Sequence, residues 1–452
     1  MKNFINTLRN IWRIDELRQR ILLTLTMLGV FRIGTFIVLP GIDPLALEAS
    51  SQQSQDGLLG LINTFAGGAY LRGSIFALGI MPYISASIVI QLLTLAVPYF
   101  QRIQKEGEDG RRKMNQYTRY LTIAITVVQG IAYLSNLKVE SREAIWGMTD
   151  AGMGAFWWTF TSTVLLTTGT MFVLWLGEKI TDKGLGNGVS LIIMVGIIAR
   201  LPLAILAEFD SRFNQSTGGM VVFLVEMVAL MFVVMGVIML VQGTRKIPVQ
   251  YAKRIVGNRQ FGGARQYLPL KLNAAGVMPI IFAQALMFIP SSISQLVQSE
   301  GFSKAMSSFL DYRSFGYNFV FAMLIILFTY FYTAISVNAR TIADDLKKNN
   351  GFIPGVKPGN ATSDFIDNVM SRITLPGAVF LAIVAILPSI ASLFGVNSQF
   401  GQFYGGTSLL ILVGVVLDTL QQIESYLLMR HYDGLMKSGR IKGRTQSAMQ
   451  TA

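Results

Sequence analysis

The sequence predicts an all-α, multi-pass membrane protein with ten transmembrane helices. Three observations predict it. First, the 452 residues are 52% hydrophobic and only 14% charged, with a mean hydropathy of +0.49. An ordinary soluble domain carries about 25% charged residues, so this chain has too few to coat a water-facing surface of its size. Second, ten apolar runs recur along it, each near the roughly 20 residues that cross hydrocarbon. Third, its Lys and Arg residues cluster in alternate connecting segments, as the positive-inside rule requires.

The runs lie at about 21–40, 75–97, 117–135, 155–176, 189–207, 219–242, 276–297, 317–337, 373–396 and 405–429. With the N-terminus in the cytoplasm, 30 of the 38 Lys and Arg fall in segments 1–20, 98–120, 177–188, 243–271, 338–372 and 430–452. Seven fall on the opposite side, and Arg32 lies inside the first run. Both termini are therefore expected in the cytoplasm, which requires an even number of spans. Residues 1–20 are too charged for a cleavable signal, and Phe4–Trp12 reads as a short amphipathic surface helix. Most of the net charge of +13 is thus membrane topology.

Three segments depart from a plain bundle. Residues 58–72 (LLGLINTFAGGAYLR) are Gly-rich and too short to span. They suit either an interfacial helix or a half-helix folded into a protein-lined cavity, where irregular backbone is tolerated at membrane depth. The loops 243–271 and 338–372 are long and basic. The first holds Arg245, Lys246, Lys253, Arg254, Arg259, Arg265 and Lys271 with no acid, together with Tyr251, Phe261 and Tyr267. That exceeds what topology needs and suits docking of a polyanion or an acidic protein face. The spans also carry Ser85, Ser87, Gln91, Gln129, Asn187, Gln284, Thr407 and Ser408. These suit helix–helix hydrogen bonding or a water-filled path.

Enzyme chemistry has little to build on. There is no cysteine and one histidine, His431, so thiolate, haem, iron–sulfur and clustered zinc sites are excluded. No GxxxxGK[ST] or HExxH occurs, and Gly184-Leu185-Gly186-Asn187-Gly188 lies between spans without a βαβ context. No cofactor is expected. Arg32, Glu226, Asp418 and Glu424 are the ionisable residues in or near spans, the usual pointer to a coupled solute transporter. With no histidine to shuttle protons and only isolated acids, Glu226 reads more simply as a structural acid facing the bundle. Aliphatic residues beside Gly and Pro recur instead. Ile80 and Ile84 share a helix face, as do Val189 and Ile193; Ile281 follows Pro279, and Ile411 follows Gly405-Gly406-Thr407-Ser408.

The strings SIFALGIMPYISASIVIQLLT (74–94), GLGNGVSLII (184–193), PVQYAKR (248–254), LPLKLNAAGVMP (268–279), FIPGVKPG (352–359) and GGTSLLILVGVVLD (405–418) resemble the SecY family of protein-conducting channels. FRIGTFIVLPGID (31–43) fits as well. The resemblance covers essentially the whole chain. It implies ten helices in two pseudo-symmetric inverted halves of five, about 21–207 and 219–429, hinged at 208–218. It implies a lateral gate formed by spans two, three, seven and eight. It implies a pore ring of Ile80, Ile84, Val189, Ile193, Ile281 and Ile411, with Val189 replacing the family's isoleucine. It implies a plug over 58–72, containing Leu58, Leu61, Asn63, Phe65, Gly67 and Gly68. Docking of a ribosome and its RNA, or of the SecA motor ATPase, is implied at Arg245, Lys246, Lys253, Arg254, Arg259, Lys347, Lys348 and Lys357. The implied activity is passage of unfolded, signal-bearing polypeptides across a bacterial plasma membrane, with sideways release of apolar segments into lipid. SecE and SecG are the implied small membrane partners. Two departures stand out. Lys357-Pro358-Gly359-Asn360 replaces Arg-Pro-Gly-Glu, which keeps a charge but loses the guanidinium fork. Asn338-Ala339-Arg340-Thr341 replaces Asn-Pro-Arg-Glu.

Overall fold

The computed structural model describes residues 14–44, 63–140, 153–214, 219–251, 265–284 and 314–437, together with 12, 46–47, 145, 254–256, 259–261 and 286–287. The described residues are mostly helical. The helices are α1 (Asp15–Gly34), α2 (Met81–Ala96), α3 (Pro98–Lys105), α4 (Glu108–Glu140), α5 (Met153–Lys183), α6 (Gly188–Asn214), α7 (Gly219–Gln242), α8 (Phe315–Ser336), α9 (Ala339–Lys348), α10 (Asn360–Leu393) and α11 (Gly406–Lys437). Seven helical stretches among the described residues are long and apolar enough to cross a membrane. The bent pair formed by α2 and α3 makes an eighth, turning by 102° at Val97-Pro98. The residue before a proline is driven to extended backbone, and Val97 sits at φ −112°, ψ 118°. The first expected span appears as α1. The seventh is helical at 278–284 and 286–287, and its remainder lies outside the described residues. Ten spans are consistent with this architecture.

Expected boundaries shift at several helices: α1 ends at Gly34 and not near 40, and α4 extends past 117–135 at both ends. The second span begins at Met81, not near 75, because residues 66–80 form consecutive turns. Gly67, Gly68, Gly73 and Gly79 all take positive φ there, a region open to glycine but not to a continuing helix.

The bilayer reading is visible in α7. It is the most apolar helix, yet only 11% of its apolar window is buried. Val221, Phe232 and Met239 are 73%, 68% and 71% exposed. In water such a surface would be untenable; in hydrocarbon it is expected. This is a multi-pass membrane protein.

Two compact units divide the chain. The first contains 59–200 and 415–452 together with the N-terminal residues; the second contains 201–414. In the first unit α2 packs on α4, and α4 on α5. Their core includes Leu39, Ile42, Leu78, Tyr133, Leu134 and Leu166. In the second unit α8 packs on α10, and α10 touches α7.

The second unit also contains a small sheet. Strand β1 (Thr244–Tyr251) pairs antiparallel with β4 (Arg265–Lys271), from Thr244 opposite Lys271 to Gln250 opposite Arg265. β5 (Gly351–Phe352) adds to the other edge of β1, and β2 (Arg254–Val256) with β3 (Arg259–Phe261) forms a separate ribbon. The loop expected over 243–271 is therefore largely a hairpin. Ile247 and Val249 point inward at a two-residue period and join Leu270, Leu346, Ile353, Ile366 and Met370 in a core.

Candidate functional site

The aliphatic residues singled out above sit at the starts of helices, where local backbone chemistry fixes them. Ile80 is the N-cap of α2 and is buried; its carbonyl accepts the Ile84 N–H at 3.1 Å. Pro82 suits the first turn, since its missing N–H would have no partner there. Ile84, one turn on, is half-buried.

Val189 and Ile193 occupy the first turn and a half of α6. Asn187 caps that helix, its Oδ1 accepting the Val189 and Ser190 N–H groups at 3.1 and 3.3 Å. The glycine-rich loop before it is held by side chains of three other helices. Leu185 N–H donates to Thr24 Oγ1, Gly186 N–H to Gln422 Oε1 and Gly188 N–H to Thr181 Oγ1. Arg20 donates to the Gly184 carbonyl and stacks over Tyr426. So the string GLGNG is neither a phosphate cradle nor a loose linker. It is a polar clasp within the first unit that sets the position of Val189. Gly177 completes it, because a Cβ there would stand 3.2 Å from Val189 Cγ2. Thr24→Val keeps the shape of this buried site but orphans the Leu185 N–H, at a cost of about 1–3 kcal/mol. A thermal melt of the purified protein should fall by several degrees, while Thr24→Ser should melt like the wild type.

In the second unit, Ile281 is half-buried within the helical stretch 278–284, two residues after buried Pro279. Ile411 is buried on α11. The turn before it is fastened locally, with Ser408 Oγ donating to the carbonyls of Gln402 and Gly405. Four of the six aliphatic residues thus belong to the first unit and two to the second.

Of the expected plug residues, Asn63, Phe65, Gly67 and Gly68 are described, and Leu58 and Leu61 lie outside the described residues. Helix is present at 63–65 and gives way to turns, so the segment is less helical than expected over 66–72. Asn63 is buried; its carbonyl accepts the Gly68 N–H and its Oδ1 the Leu71 N–H. Gly67 (φ +65°) rests on Gly196 of α6. A Cβ on Gly67 would meet Gly196 Cα at 3.1 Å, and one on Gly196 would meet the Phe65 carbonyl at 2.8 Å. Arg32, ambiguous in the sequence, donates to the Gly67 carbonyl at 2.8 Å and lies over Phe36.

The basic residues sort by element. Arg245 and Lys246 are exposed on β1. Arg254 and Arg259 lie on the ribbon β2–β3, and Lys253 falls outside the described residues. Lys347 and Lys348 are exposed in the last turn of α9, which suits the negative end of its dipole. Asn338 caps α9 by accepting from Thr341 N–H, so the altered string here keeps its capping function. Lys357 is exposed in the turn before α10, its carbonyl accepting from Thr362 Oγ1.

Glu226 faces the bundle, as the structural-acid reading requires. It is buried and accepts from Arg212 Nη2 at 2.6 Å. Asp418 and Glu424 are exposed. Sequence reasoning missed Arg212 and Glu208 as its companions. Both sit four residues apart near the end of α6, the spacing of an intrahelical ion pair, and that was the available signal. Ser85 bonds to Met81 O and Gln91 to Ser87, so these polar residues are satisfied within their own helix.

The comparisons with known proteins agree with this architecture. The family model SecY matches residues 74–420. The chain is 42% identical over 456 residues to "Protein translocase subunit SecY" of Chlamydia trachomatis, covering 97% of this chain and 99% of the relative. It is 42% identical to the protein of the same name from Mycobacterium tuberculosis, with 96% and 99% coverage. A solved structure described as "The structure of a protein conducting channel" superposes with a TM-score of 0.61 at 16% identity, covering 90% of this chain and 92% of that one. Sec61 in a canine ribosome–channel complex gives 0.57 at 15% identity, with the same coverage. At those identities the structures speak for the fold, and the full-length relatives for the family. The chain belongs to the SecY family.

Proposed function

We propose that this chain is the protein-conducting subunit of a bacterial translocase. The carrying observation is identity of 42% along the whole length to proteins named as translocase subunits. The chemistry of the chain supports the reading. Ile80, Ile84, Val189, Ile193, Ile281 and Ile411 form a ring of aliphatic side chains, with no charge and no directional bond to hold a passing peptide. A narrow apolar ring excludes ions by dewetting and yields around a threading chain. The segment around Asn63, Phe65, Gly67 and Gly68 is the plug, seated on α6 through two glycines so that it can leave. The halves 21–207 and 219–429 part about the hinge 208–218, expected as a loop but helical in its first part, to Asn214, where α6 ends. Spans two, three, seven and eight form the lateral gate, through which apolar segments partition into lipid.

The work comes from outside the chain. SecA or a translating ribosome docks on the basic hairpin and on Lys347, Lys348 and Lys357, where exposed charge meets RNA or an acidic motor face. Lys357 makes an ionic contact only, without the bidentate geometry of arginine. SecE and SecG complete the complex. The protein lies in the bacterial plasma membrane with both termini in the cytoplasm, an orientation supported by 30 basic residues on one side against 7 on the other.

Reconstitution tests the proposal. Proteoliposomes containing the chain, its two small partners and SecA with ATP should import a signal-bearing preprotein. The same preprotein without its signal should stay outside. Failure to import either, with the complex intact, contradicts the reading. Ile411→Asn should hydrate the ring and let the signal-less preprotein through. Unchanged selectivity and unchanged ion leak in that variant would sink the gasket.

A further inference from the structure

A buried charge cluster in the second unit fastens the turn that leads into α11. Arg212 donates through Nε to Glu208 Oε1 at 2.8 Å, and through Nη2 to Glu226 Oε1 at 2.6 Å and to the Gly395 carbonyl at 2.8 Å. The second oxygen of Glu208 accepts the Asn397 N–H at 2.8 Å. All three side chains are at least nine-tenths buried. The start of the turn is thus held to the end of α6 and to Glu226 on α7. Its far end returns to the same residue. Tyr404 is buried and donates its hydroxyl to the Glu226 backbone carbonyl at 2.6 Å. Residues 395 and 404 are therefore tied to one point on α7, the first through its side chain and the second through its backbone.

The chain after Tyr404 has little slack. Gly405 lies against the Val384 carbonyl of α10, which receives no N–H from Pro388 four residues on, and a Cβ on Gly405 would collide with it. Ser408 Oγ closes the corner by donating to the carbonyls of Gln402 and Gly405 at 2.8 and 3.3 Å. α11 starts at Gly406, and Ile411 follows about 7.5 Å along its axis with no further glycine or proline between them. So short a helical stretch passes a shift of its first residue on to its second turn. Phe400 meets the Tyr404 ring only edge-on, at 5.5 Å between centroids, so the direction of Tyr404 toward α7 rests on its hydroxyl.

On the reading of Ile411 as a ring residue, we propose that Tyr404 is a positioning residue for the channel. Its bond to the Glu226 carbonyl sets where α11 begins, and so the depth of Ile411 in the ring. Glu226 is the post: its carboxylate holds Arg212 and the Gly395 end of the turn, and its carbonyl holds the Tyr404 end. An acid within an apolar helix thereby has a positioning task and not one in ion coupling. An aliphatic ring excludes water only while its side chains meet, so the seal depends on this tie.

Tyr404→Phe removes the hydroxyl and keeps the ring against Phe400. The comparison is Trp158→Phe, which deletes the Trp158 Nε1 bond to the Pro40 carbonyl in the first unit. Both variants should melt within a few degrees of the wild type. In the purified complex, alkylation of Ile411→Cys by a water-soluble maleimide should quicken about fivefold in the Tyr404→Phe background, the population change that one ordinary hydrogen bond makes. It should not change in the Trp158→Phe background. In proteoliposomes, import of the signal-less preprotein should rise by the same order in Tyr404→Phe alone. An unchanged alkylation rate in Tyr404→Phe, or an equal rise in Trp158→Phe, overturns the proposal. Faster alkylation with wild-type selectivity leaves Tyr404 as the tie that sets Ile411 and contradicts the ring reading on which its role in selectivity rests.

Discussion

Arg212→Met should destabilise the protein by about 3–5 kcal/mol, the cost of stranding buried charge by removing one partner of a buried pair. The side chain gives Glu208 and Glu226 their shared counter-charge and also satisfies the Gly395 carbonyl. Methionine fills much of the volume but supplies no donor. Arg212→Lys keeps the charge but cannot reach two carboxylates and a carbonyl with a planar fork, so it should fall between. Melting curves and yield from membranes check this. A Met variant that melts like the wild type would show that the cluster contributes little to the fold.

Gly196→Leu should open the resting channel. The Phe65 carbonyl would stand 2.8 Å from the new Cβ and the Gly67 N at 3.1 Å, and both are backbone atoms that cannot swing aside as a side chain can. The segment around Gly67 must lift from α6, breaking its bond from Arg32. Each 1.4 kcal/mol lost from the seated state raises the unseated population about tenfold. Resting conductance in planar bilayers should rise by at least that order. Gly196→Ala should show a smaller rise. A leak no greater than wild type in the leucine variant would mean that Gly67 is not seated on Gly196 in the closed channel.

The spans were legible because apolar length is a direct signature of hydrocarbon. The run 219–242 matches the observed Gly219–Gln242 at both ends. Charged continuations of helices were not legible. The run 117–135 is the apolar part of a helix that extends over Glu108–Glu140, where water takes over from lipid. The hairpin was hidden by its own charge. Thr244–Tyr251 has inward Ile247 and Val249 at strand spacing, yet the seven basic residues over 243–271 make the whole stretch read as a loop. The start of the second span was misplaced because Ile75, Phe76, Ala77 and Leu78 are apolar enough for a helix. Their neighbours Gly73 and Gly79 sit at positive φ, and hydropathy does not see backbone. At the candidate site, Ile80 and Ile84 or Val189 and Ile193 stand out by spacing. The clasp that positions Val189 brings together residues 24, 181, 186 and 422, and no local pattern carries such distant pairs.

The chain contains no cysteine, so the path of a translocating polypeptide through the ring can be mapped by single cysteines. Single substitutions Ile80→Cys, Ile84→Cys, Val189→Cys, Ile193→Cys, Ile281→Cys and Ile411→Cys can be paired with a preprotein arrested in transit and carrying one cysteine of its own. Disulfide crosslinks are expected from all six positions to the arrested chain, and none from Phe232→Cys on the exposed face of α7. Crosslinks absent from the six, or as strong at position 232, would contradict a path through the ring.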